Sequence, residues 1–379
     1  QAADRAPSRA PMERQYWRIR ISKIEAQLQF ADALHRHGLR LKTLPEMDGR
    51  IHYVPVEGNR GHETSGAYKG FYDDDRPPSG AIYNWKQGGF VGTWTAQGET
   101  TPISAEEHAE RMARAAEKAA AQEQERSGRE AAGARTAADL IAGARPADAS
   151  HPYLRQKGVD AHGIYVANPG QTISIRGSDG ITWESSVTGR LLVPLRNADG
   201  EIRNVQIIAA DGTKLYLQGA QKIGTFHILG HWTPGQPIGV AEGYATAATG
   251  HRAMDMPVAM ALDTSDLTAV ALALRQASPD GPVFMLADND HHLPMRNPPL
   301  PNQGMEKAEK AAEAAGATVL LAPELPERAI VGKGTDWNDS AARRGAEAVK
   351  AAIGAQMGKA AVLGPVEAQR AAMSQGMGT

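Results

Sequence analysis

Short apolar runs alternate with helical patterns from residue 237 to residue 355. Four of these runs predict buried strands, at 238–241, 258–262, 283–287 and 318–322. A segment with helical periodicity follows each run, and these segments are 244–250, 265–277, 304–315 and 337–354. Alternation of strands and helices is typical of a parallel sheet that carries helices on both faces. The pattern therefore predicts an α/β domain with a four-stranded, mostly parallel sheet and flanking helices.

The residues before 237 show other patterns. From 12 to 38, apolar positions recur among charged ones at helical spacing, which predicts an N-terminal helix. From 45 to 100, short strand-like runs alternate with dense Gly and Pro turn signals, which predicts a small β-rich module. From 151 to 236, a short helix precedes strands at 191–195 and 205–208 with hairpin turn signals between them. This last segment is predicted to be an α+β half-domain.

A long helix is predicted to connect the β-rich module to the α+β half. Ser104 and Glu107 have the spacing of a capping box, and residues 105–135 contain almost no large apolar side chain. Such a helix can bury little, so we expect a solvated linker, with Thr136 as the cap of a second helix. The predicted organisation is an N-terminal helical segment at 1–44, the β-rich module at 45–100, a helical linker at 101–150, the α+β half at 151–236, the α/β domain at 237–355 and a flexible tail at 356–379.

Charge is distributed unevenly along a chain whose formal net charge is only −2. Residues 1–60 contain 11 basic and 7 acidic side chains, whereas residues 237–355 contain 10 basic and 15 acidic ones. A basic entry region beside an acidic α/β domain would suit a protein that holds a polyanion and a divalent metal. Ordinary fluctuation of charge along the sequence is the alternative.

Composition excludes several classes of site. The chain has no cysteine, which excludes disulfides, thiol catalysis and every Cys-ligated zinc or iron–sulfur centre. No stretch approaches the roughly 20 apolar residues of a membrane span, so we expect no membrane partner. The chain begins at Gln1 without Met and without an apolar signal region. We therefore expect a piece of a longer polypeptide or a processed chain. The absence of cysteine fits a reducing compartment such as the cytoplasm.

Acidic residues follow three of the four predicted strands. Glu242 follows the first strand, Asp263 the second, and Asp288 and Asp290 the third. Ligands of open α/β sheets bind at the carboxyl ends of the strands, so these carboxylates converge if the first and third strands are neighbours. Clustered carboxylates repel one another unless a cation shares them, and oxygen ligands select Mg²⁺ or Mn²⁺ over zinc. A solvated loop cluster is the alternative interpretation.

A further acidic element, Gly332 to Asp339, follows the fourth strand and begins the last helix. Asp336 is placed either to cap that helix or to join the metal site, and the two roles are compatible.

Aromatic residues of the β-rich module lie beside basic ones. Lys69, Arg76 and Lys86 are interleaved with Tyr, Trp and Phe side chains between residues 50 and 95. Such interleaving suits base stacking and phosphate contact in single-stranded nucleic acid. The alternative is that a small module needs its aromatic side chains for its core.

The metal-site segments resemble the Toprim domain of primases, topoisomerases and some nucleases. The resemblance is carried by Glu-Gly-Tyr-Ala-Thr-Ala at 242–247 and by Asp-Asn-Asp at 288–290. Residues 189–201, with Lys214 and Lys222 further on, are similar to the part of the DnaG-like primase core that precedes its Toprim half. His151 to Val159 resembles the opening of Toprim primases carried by conjugative plasmids and integrative elements.

The resemblance implies a role for each matching residue. It implies that Glu242, Asp288 and Asp290 are catalytic and bind metal, and that Asp336 and Asp339 belong to the same acidic site. It implies that four basic residues of the α+β half hold template or nucleotide phosphates, namely Arg190, Arg196, Lys214 and Lys222. The β-rich module, with Lys69 and Lys86, would take the place of the usual zinc module in binding template.

One departure from the family pattern concerns the metal. Replicative primases have an Asp four residues after the glutamate, and this chain has Thr246 there. The number of metals, one or two, therefore stays open, and Asp263 is a candidate additional ligand.

The resemblance implies a DNA primase that joins NTPs into short primers on a single-stranded DNA template. It also implies a mobile-element setting, with a helicase or a relaxase as partner and transfer of the protein with DNA during conjugation. A Toprim nuclease and a non-catalytic single-stranded-DNA-binding transfer protein are the alternatives. Thr246 supports the non-catalytic binding protein, and the similarity of the α+β half to the template-holding part of primases argues against the nuclease.

Overall fold

The computed structural model describes residues 16–61, 63–73, 76–87, 89–177, 181–263, 266–295, 299–325 and 336–363. The chain divides into two compact units, 1–124 and 125–379. The finer division predicted from the sequence stays a prediction.

The first unit consists of two antiparallel sheets and the beginning of a long helix. Its elements are β1 (Tyr16–Arg20), α1 (Lys23–Arg36), β2 (Asp48–Val54), β3 (Gly66–Phe71), β4 (Ser79–Asn84), a 3₁₀ turn (Trp85–Gln87), β5 (Gly89–Thr95), β6 (Glu99–Ile103) and α2 (Ala105–Ala142). Strand β1 pairs with β6, and β2 to β5 form a four-stranded sheet in sequence order. The predicted β-rich module is therefore present as an antiparallel meander.

Helix α1 covers one face of the four-stranded sheet. Phe30 is fully buried, edge-on to Tyr68 and stacked on Trp94 at 4.9 Å between ring centroids. Gly80 is required beneath it, because a Cβ there would lie 2.3 Å from the Phe30 ring.

The prediction of one helix from residue 12 was wrong at its start. The described chain opens as strand β1, and α1 begins only after Ser22, whose Oγ accepts a hydrogen bond from Glu25 N at 3.2 Å. Apolar and polar residues alternate with period two from Trp17 to Ile21, which is a strand signal that the broader helical pattern obscured.

Helix α2 is continuous, so the predicted second helix does not exist as a separate element. Ser104 caps its start through Glu107 N at 3.0 Å, as predicted. Thr136 caps nothing, since its hydroxyl donates back to Ala132 O within the same helix. Residues 116–129 are all exposed, which confirms the solvated character of the middle of the helix.

The second unit is built on one long mixed sheet. Its elements after α2 are β7 (Arg145–Pro146), α3 (Pro152–Lys157), β8 (Tyr165–Val166), β9 (Thr172–Arg176), β10 (Thr182–Ser186), β11 (Leu191–Arg196), β12 (Ile202–Ile208), β13 (Lys214–Tyr216), β14 (Phe226–Leu229), β15 (Ile238–Ala241), α4 (Tyr244–Met254), β16 (Val258–Ala261), α5 (Leu267–Ala277), β17 (Val283–Ala287), α6 (Gln303–Ala315), β18 (Thr318–Leu321), α7 (Trp337–Arg344) and α8 (Ala346–Leu363). The main path of the sheet is β13-β12-β11-β14-β16-β15-β17-β18.

The predicted parallel sheet is the C-terminal part of this larger sheet. Strands β16, β15, β17 and β18 are parallel to one another, whereas β14 is antiparallel to both β11 and β16. One core holds buried residues of α4, α7 and α8, and a second core holds those of α5 and α6. The α/β prediction with helices on both faces is confirmed.

The last predicted helix, 337–354, is two helices in the structure. Gly345 separates α7 from α8 with φ +87°, a conformation that breaks a helix and favours glycine. Among the residues that the structure describes, no helix is long and apolar enough to cross a membrane.

Candidate metal centre

The edge of the sheet at which β15 and β17 end carries the predicted acidic residues. The two strands are adjacent and parallel, with Ala241 opposite Leu286. Glu242 and Asp288 are the residues next to these strand ends, so the sheet register brings them to the same edge. The first and third predicted strands are therefore neighbours in the sheet, as expected.

The Asp288–Asp290 loop is fixed by side-chain hydrogen bonds to flanking elements. Asn289 is buried and donates to Ala322 O at 3.0 Å, just past the end of β18. Asn302 donates to Asn289 Oδ1 at 2.8 Å and accepts from Asp290 N at 2.8 Å. Asp290 Oδ2 accepts from Gly304 N at 3.0 Å, at the beginning of α6. These contacts anchor the Asp288–Asp290 loop to the end of β18 and to the start of α6.

Asp288 has a carboxylate oxygen without a partner. Its Oδ1 is shielded from solvent and has no hydrogen bond among the described residues. Burial raises the pKa of Asp288 well above its usual range, and the nearby charges of Glu242 and Asp336 raise it further. A buried carboxylate oxygen without a donor is costly, and a bound cation would remove that cost.

Glu242 lies in the same electrostatic neighbourhood. Burial raises the pKa of Glu242 to about 7, the positive charges of Lys214 and Lys307 oppose the rise, and Asp263 and Asp290 add to it. A glutamate whose pKa is about 7 can gain or lose a proton at physiological pH.

Asp336 caps helix α7, as one of its two predicted roles required. Its Oδ1 accepts from Asp339 N at 2.6 Å. Burial raises the pKa of Asp336, and the charge of Asp339 adds to this. Both residues also raise the pKa of Asp288, so they belong to the same acidic cluster. The preceding predicted residues, 332–335, lie outside the described residues.

Asn338, in the first turn of α7, has a structural role. Its side chain donates to Lys157 O at 2.8 Å and to Thr249 Oγ1 at 3.1 Å. It thereby ties α7 to α3 and α4.

The donor set of this edge suits a hard cation. The cluster offers carboxylate oxygens alone, and one of them is buried and unpartnered. Within the residues that the structure describes, the one trio of ligand atoms closer than 4.8 Å to one another lies elsewhere, at Glu46, Asp48 and His52 of the first unit. Carboxylate oxygens are the ligands that hard divalent cations take.

The four basic residues predicted in the α+β half take different positions. Lys214 Nζ lies 3.4 Å from where a Cβ on Gly243 would be, beside Glu242. Lys222 Nζ pairs with Asp263 at 2.5 Å and lies 5.1 Å from the centroid of the Tyr216 ring.

Arg196 donates to Gly200 O at 2.7 Å within its hairpin. Arg190 is half-buried, and its charge helps to lower the pKa of Asp211, after the larger effect of the Thr213 hydrogen bonds.

The structure thus brings Lys214 and Lys222 to the acidic edge and leaves Arg196 on its turn. Asp263, which we considered as an additional ligand, is already paired with Lys222. Thr246 is buried in the first turn of α4 and supplies no carboxylate.

Sequence reasoning missed several residues of this edge. Lys307 of α6 acts electrostatically on Glu242, and Asn302 holds the aspartate loop. His291 is buried, with Nδ1 2.9 Å from Asn289 O and Nε2 without a partner among the described residues. The His291-His292 pair directly after Asp290 is a sequence signal that could have pointed to His291. Nothing in the sequence around Asn302 and Lys307 indicates that the fold brings them to this edge.

Comparison with known proteins agrees with this geometry. The family model described as "Toprim domain" matches residues 237–347. Residues 237–347 are a Toprim domain. The match contains Glu242 and the whole aspartate loop.

This chain is also similar to two proteins named DNA primase TraC from Escherichia coli. One is 33% identical over 302 residues, which cover 77% of this chain and 19% of the relative. The other is 31% identical over 300 residues, which cover 77% of this chain and 26% of the relative. The chain thus spans about a quarter or less of these curated relatives, and the resemblance to plasmid-type Toprim primases is confirmed.

Solved structures similar to this chain include primase domains. The RNA polymerase domain of Mycobacterium tuberculosis primase DnaG matches with a TM-score of 0.40 and 19% identity, over 64% of this chain and 91% of that one. The primase fragment of the bacteriophage T7 primase-helicase protein matches with a TM-score of 0.36 and 15% identity, over 54% of this chain and 73% of that one.

Proposed function

We propose that this chain is the catalytic region of a DNA primase, which joins NTPs into a short primer on a single-stranded DNA template. The observation that carries the proposal is the buried Oδ1 of Asp288, which has no partner among the described residues and is surrounded by the carboxylates of Glu242, Asp290, Asp336 and Asp339. The similarity to proteins named DNA primase TraC directs this site toward priming.

Mg²⁺ or Mn²⁺ would be held by Asp288 and Asp290, with Glu242, Asp336 and Asp339 completing the acidic surroundings. Bound there, the ion would polarise the reacting phosphate and the primer 3′-hydroxyl. Glu242 would take up the proton that the 3′-hydroxyl loses. Lys214 lies beside Glu242 and would hold a phosphate of the incoming nucleotide.

Template binding is assigned to basic residues of the same unit. Lys222, Arg190 and Arg196 would contact phosphates of the template strand, so affinity should fall as salt concentration rises. The pairing of Lys222 with Asp263 means that its contact with DNA would compete with an existing ion pair. We also propose a cytoplasmic location, a helicase or relaxase as partner, and transfer of the protein with DNA in conjugation.

A primer-synthesis assay tests the proposal against its rivals. The full chain is incubated with single-stranded DNA, Mg²⁺ or Mn²⁺ and labelled NTPs, beside the Asp288→Ala variant. Template-dependent oligonucleotides that the variant does not make are the expected result. Shortened template would instead identify a Toprim nuclease, and retention of DNA without either product would leave only a binding protein.

A further inference from the structure

The four-stranded sheet of the first unit has two unlike faces. Its inner face packs on α1 through Tyr68, Ile82 and Trp94. Because side chains alternate along a strand, the intervening residues point to the opposite face. Tyr53, Ala67, Tyr83 and Phe90 lie side by side across the four strands in that outer row.

Large apolar side chains are exposed on this outer face. The exposed fractions are 60% for Tyr53, 59% for Phe90, 54% for Ile51 and 49% for Trp85. We call this surface, formed by Ile51, Tyr53, Tyr83, Trp85 and Phe90, the aromatic face. Scattered exposed apolar residues are ordinary, but several on one sheet face mark a contact surface.

The rings of the aromatic face are ordered against one another. Tyr53 and Trp85 are stacked, with centroids 5.9 Å apart and planes 16° from parallel. Phe90 meets Tyr83 edge-on at 5.6 Å. Ala67 lies between Tyr53 and Tyr83 in the same row and is itself buried.

Positive charge borders the aromatic face. Lys69 lies in the next outward row, between Ile51 and Ala81, with Nζ 5.0 Å from the Phe71 ring centroid. No ion pair to Lys69 is found within the described residues. Lys86 follows Trp85 in the chain, donates to Gly58 O and lies 4.0 Å from Glu63. Arg76 stacks over Phe71 at 4.3 Å and pairs with Asp73.

We propose that the aromatic face binds single-stranded DNA by base stacking, with Lys69 and Lys86 on its phosphates. Exposed rings in ordered planes offer stacking positions that any base can occupy, and neighbouring cations match a phosphate backbone. The identification of the strand as the DNA template rests on the proposed function. The aromatic face would therefore hold template by a contact separate from the acidic edge of the Toprim domain.

The proposal is tested by the binding of labelled oligothymidylate of about 20 nucleotides. This length exceeds the ~4–16 nucleotides that one OB-type module covers. Fluorescence anisotropy is measured on the full chain without divalent metal or NTPs, so the outcome does not depend on catalysis. The variants are Tyr53→Ala with Trp85→Ala, Phe90→Ala, Tyr53→Phe, and the control Trp17→Ala. Trp17 is matched because it is 54% exposed on β1 of the same unit.

We expect the double variant to weaken binding about 10-fold or more, and Phe90→Ala to weaken it by several-fold, the size of a lost stacking contact. Tyr53→Phe keeps the ring and should bind as the wild type does, and so should Trp17→Ala. Photocrosslinking of an oligonucleotide carrying 5-iodouracil to the wild-type chain should label Tyr53, Trp85 or Phe90.

Unchanged affinity in the double variant, together with crosslinks confined to other residues, would overturn the proposal. A change of oligomeric state in the double variant with unchanged DNA binding would assign the aromatic face to a second copy of the chain. If the wild-type chain makes no primers but the stacking variants lose DNA binding, the proposed function is wrong. The assignment of single-stranded DNA binding to the aromatic face is then still supported.

Discussion

At the scale of single residues, position relative to the strands was the informative signal. Glu242, Asp288 and Asp290 could be predicted because each lies directly after an apolar run, and the structure places them at one edge. Asn302 and Lys307 could not be predicted, since nothing in their local sequence indicates which loop they will contact. Their roles arise when α6 packs beside the end of β17.

The unpartnered oxygen of Asp288 leads to a stability prediction. Asp288→Asn removes a charge from a buried cluster of carboxylates, so the metal-free variant should melt higher, by about 2–4 °C for each kcal/mol of relieved repulsion. Mg²⁺ should raise the melting temperature of the wild type and leave that of Asp288→Asn unchanged. Calorimetry with and without Mg²⁺ measures both effects.

The exposed Asp280, replaced by Asn, is the matched control and should respond to Mg²⁺ as the wild type does. A metal-induced shift of equal size in Asp288→Asn would show that Asp288 does not hold the ion.

At the scale of elements, the periodicity of apolar residues predicted which segments are helices and which are strands. The prediction was wrong where a short strand pattern lay beside a longer helical one. The alternation in 17–21 was hidden by a longer helical pattern, and Gly345 was overlooked as a break between α7 and α8. Thr136 was predicted as a cap on residue type alone, although its hydroxyl can bond within a continuous helix. The predicted caps at Ser104 and Asp336 are present, since each side chain accepts a hydrogen bond from the backbone N–H three residues on.

The contact of α6 with the aspartate loop yields a prediction at this scale. A Cβ on Gly304 would lie 2.7 Å from Asp288 O and 3.0 Å from Asp288 Cβ, so Gly304→Ala must displace the loop or the helix. We expect a loss of Mg²⁺ affinity and of primer synthesis of about 10-fold or more, as for an angstrom-scale misplacement of reacting groups. Metal titration monitored by melting temperature and primer yield tests this.

Gly354→Ala is its control, because a Cβ at Gly354 in α8 meets no atom within 4 Å. That variant should be more stable by up to about 1 kcal/mol from helix propensity, with unchanged activity. Equal metal affinity in Gly304→Ala and the wild type would argue against the close packing of α6 on Asp288.

At the scale of the whole molecule, the sequence predicted two halves, 151–236 and 237–355, and the structure joins them in one sheet. Strand β14 makes the connection, since it pairs with β11 of the first half and β16 of the second. A single antiparallel strand of four residues has no sequence signal for its partners, so this continuity could not be predicted.

His227 of this connecting strand predicts a dependence of stability on pH. Burial lowers its pKa to about 4 from the ordinary 6.5, and Nε2 lies 2.7 Å from His162 O. The unfolded chain takes up a proton first, so the contribution is complete above pH 6.5 and is lost as pH falls toward 4. The loss is about 3 kcal/mol at most, at about 1.4 kcal/mol for each pKa unit.

Chemical denaturation at several pH values measures this contribution. His227→Gln keeps a donor and cannot titrate, so its stability should fall less between pH 6.5 and 4 than that of the wild type. His231→Gln, at an exposed histidine, should follow the wild type. Identical pH profiles for His227→Gln and the wild type would contradict the assignment.

The Mg²⁺ dependence of template-directed primer synthesis, measured in the wild type, Asp288→Asn and Asp280→Asn, shows whether Asp288 holds the ion that the reaction needs. Primer yield should rise with Mg²⁺ in the wild type and in Asp280→Asn. Asp288→Asn should lose about 100-fold or more of this activity, the scale of a lost electrostatic contribution to the transition state. Primer synthesis by Asp288→Asn at the wild-type rate and with the wild-type Mg²⁺ requirement would contradict the proposed role of Asp288.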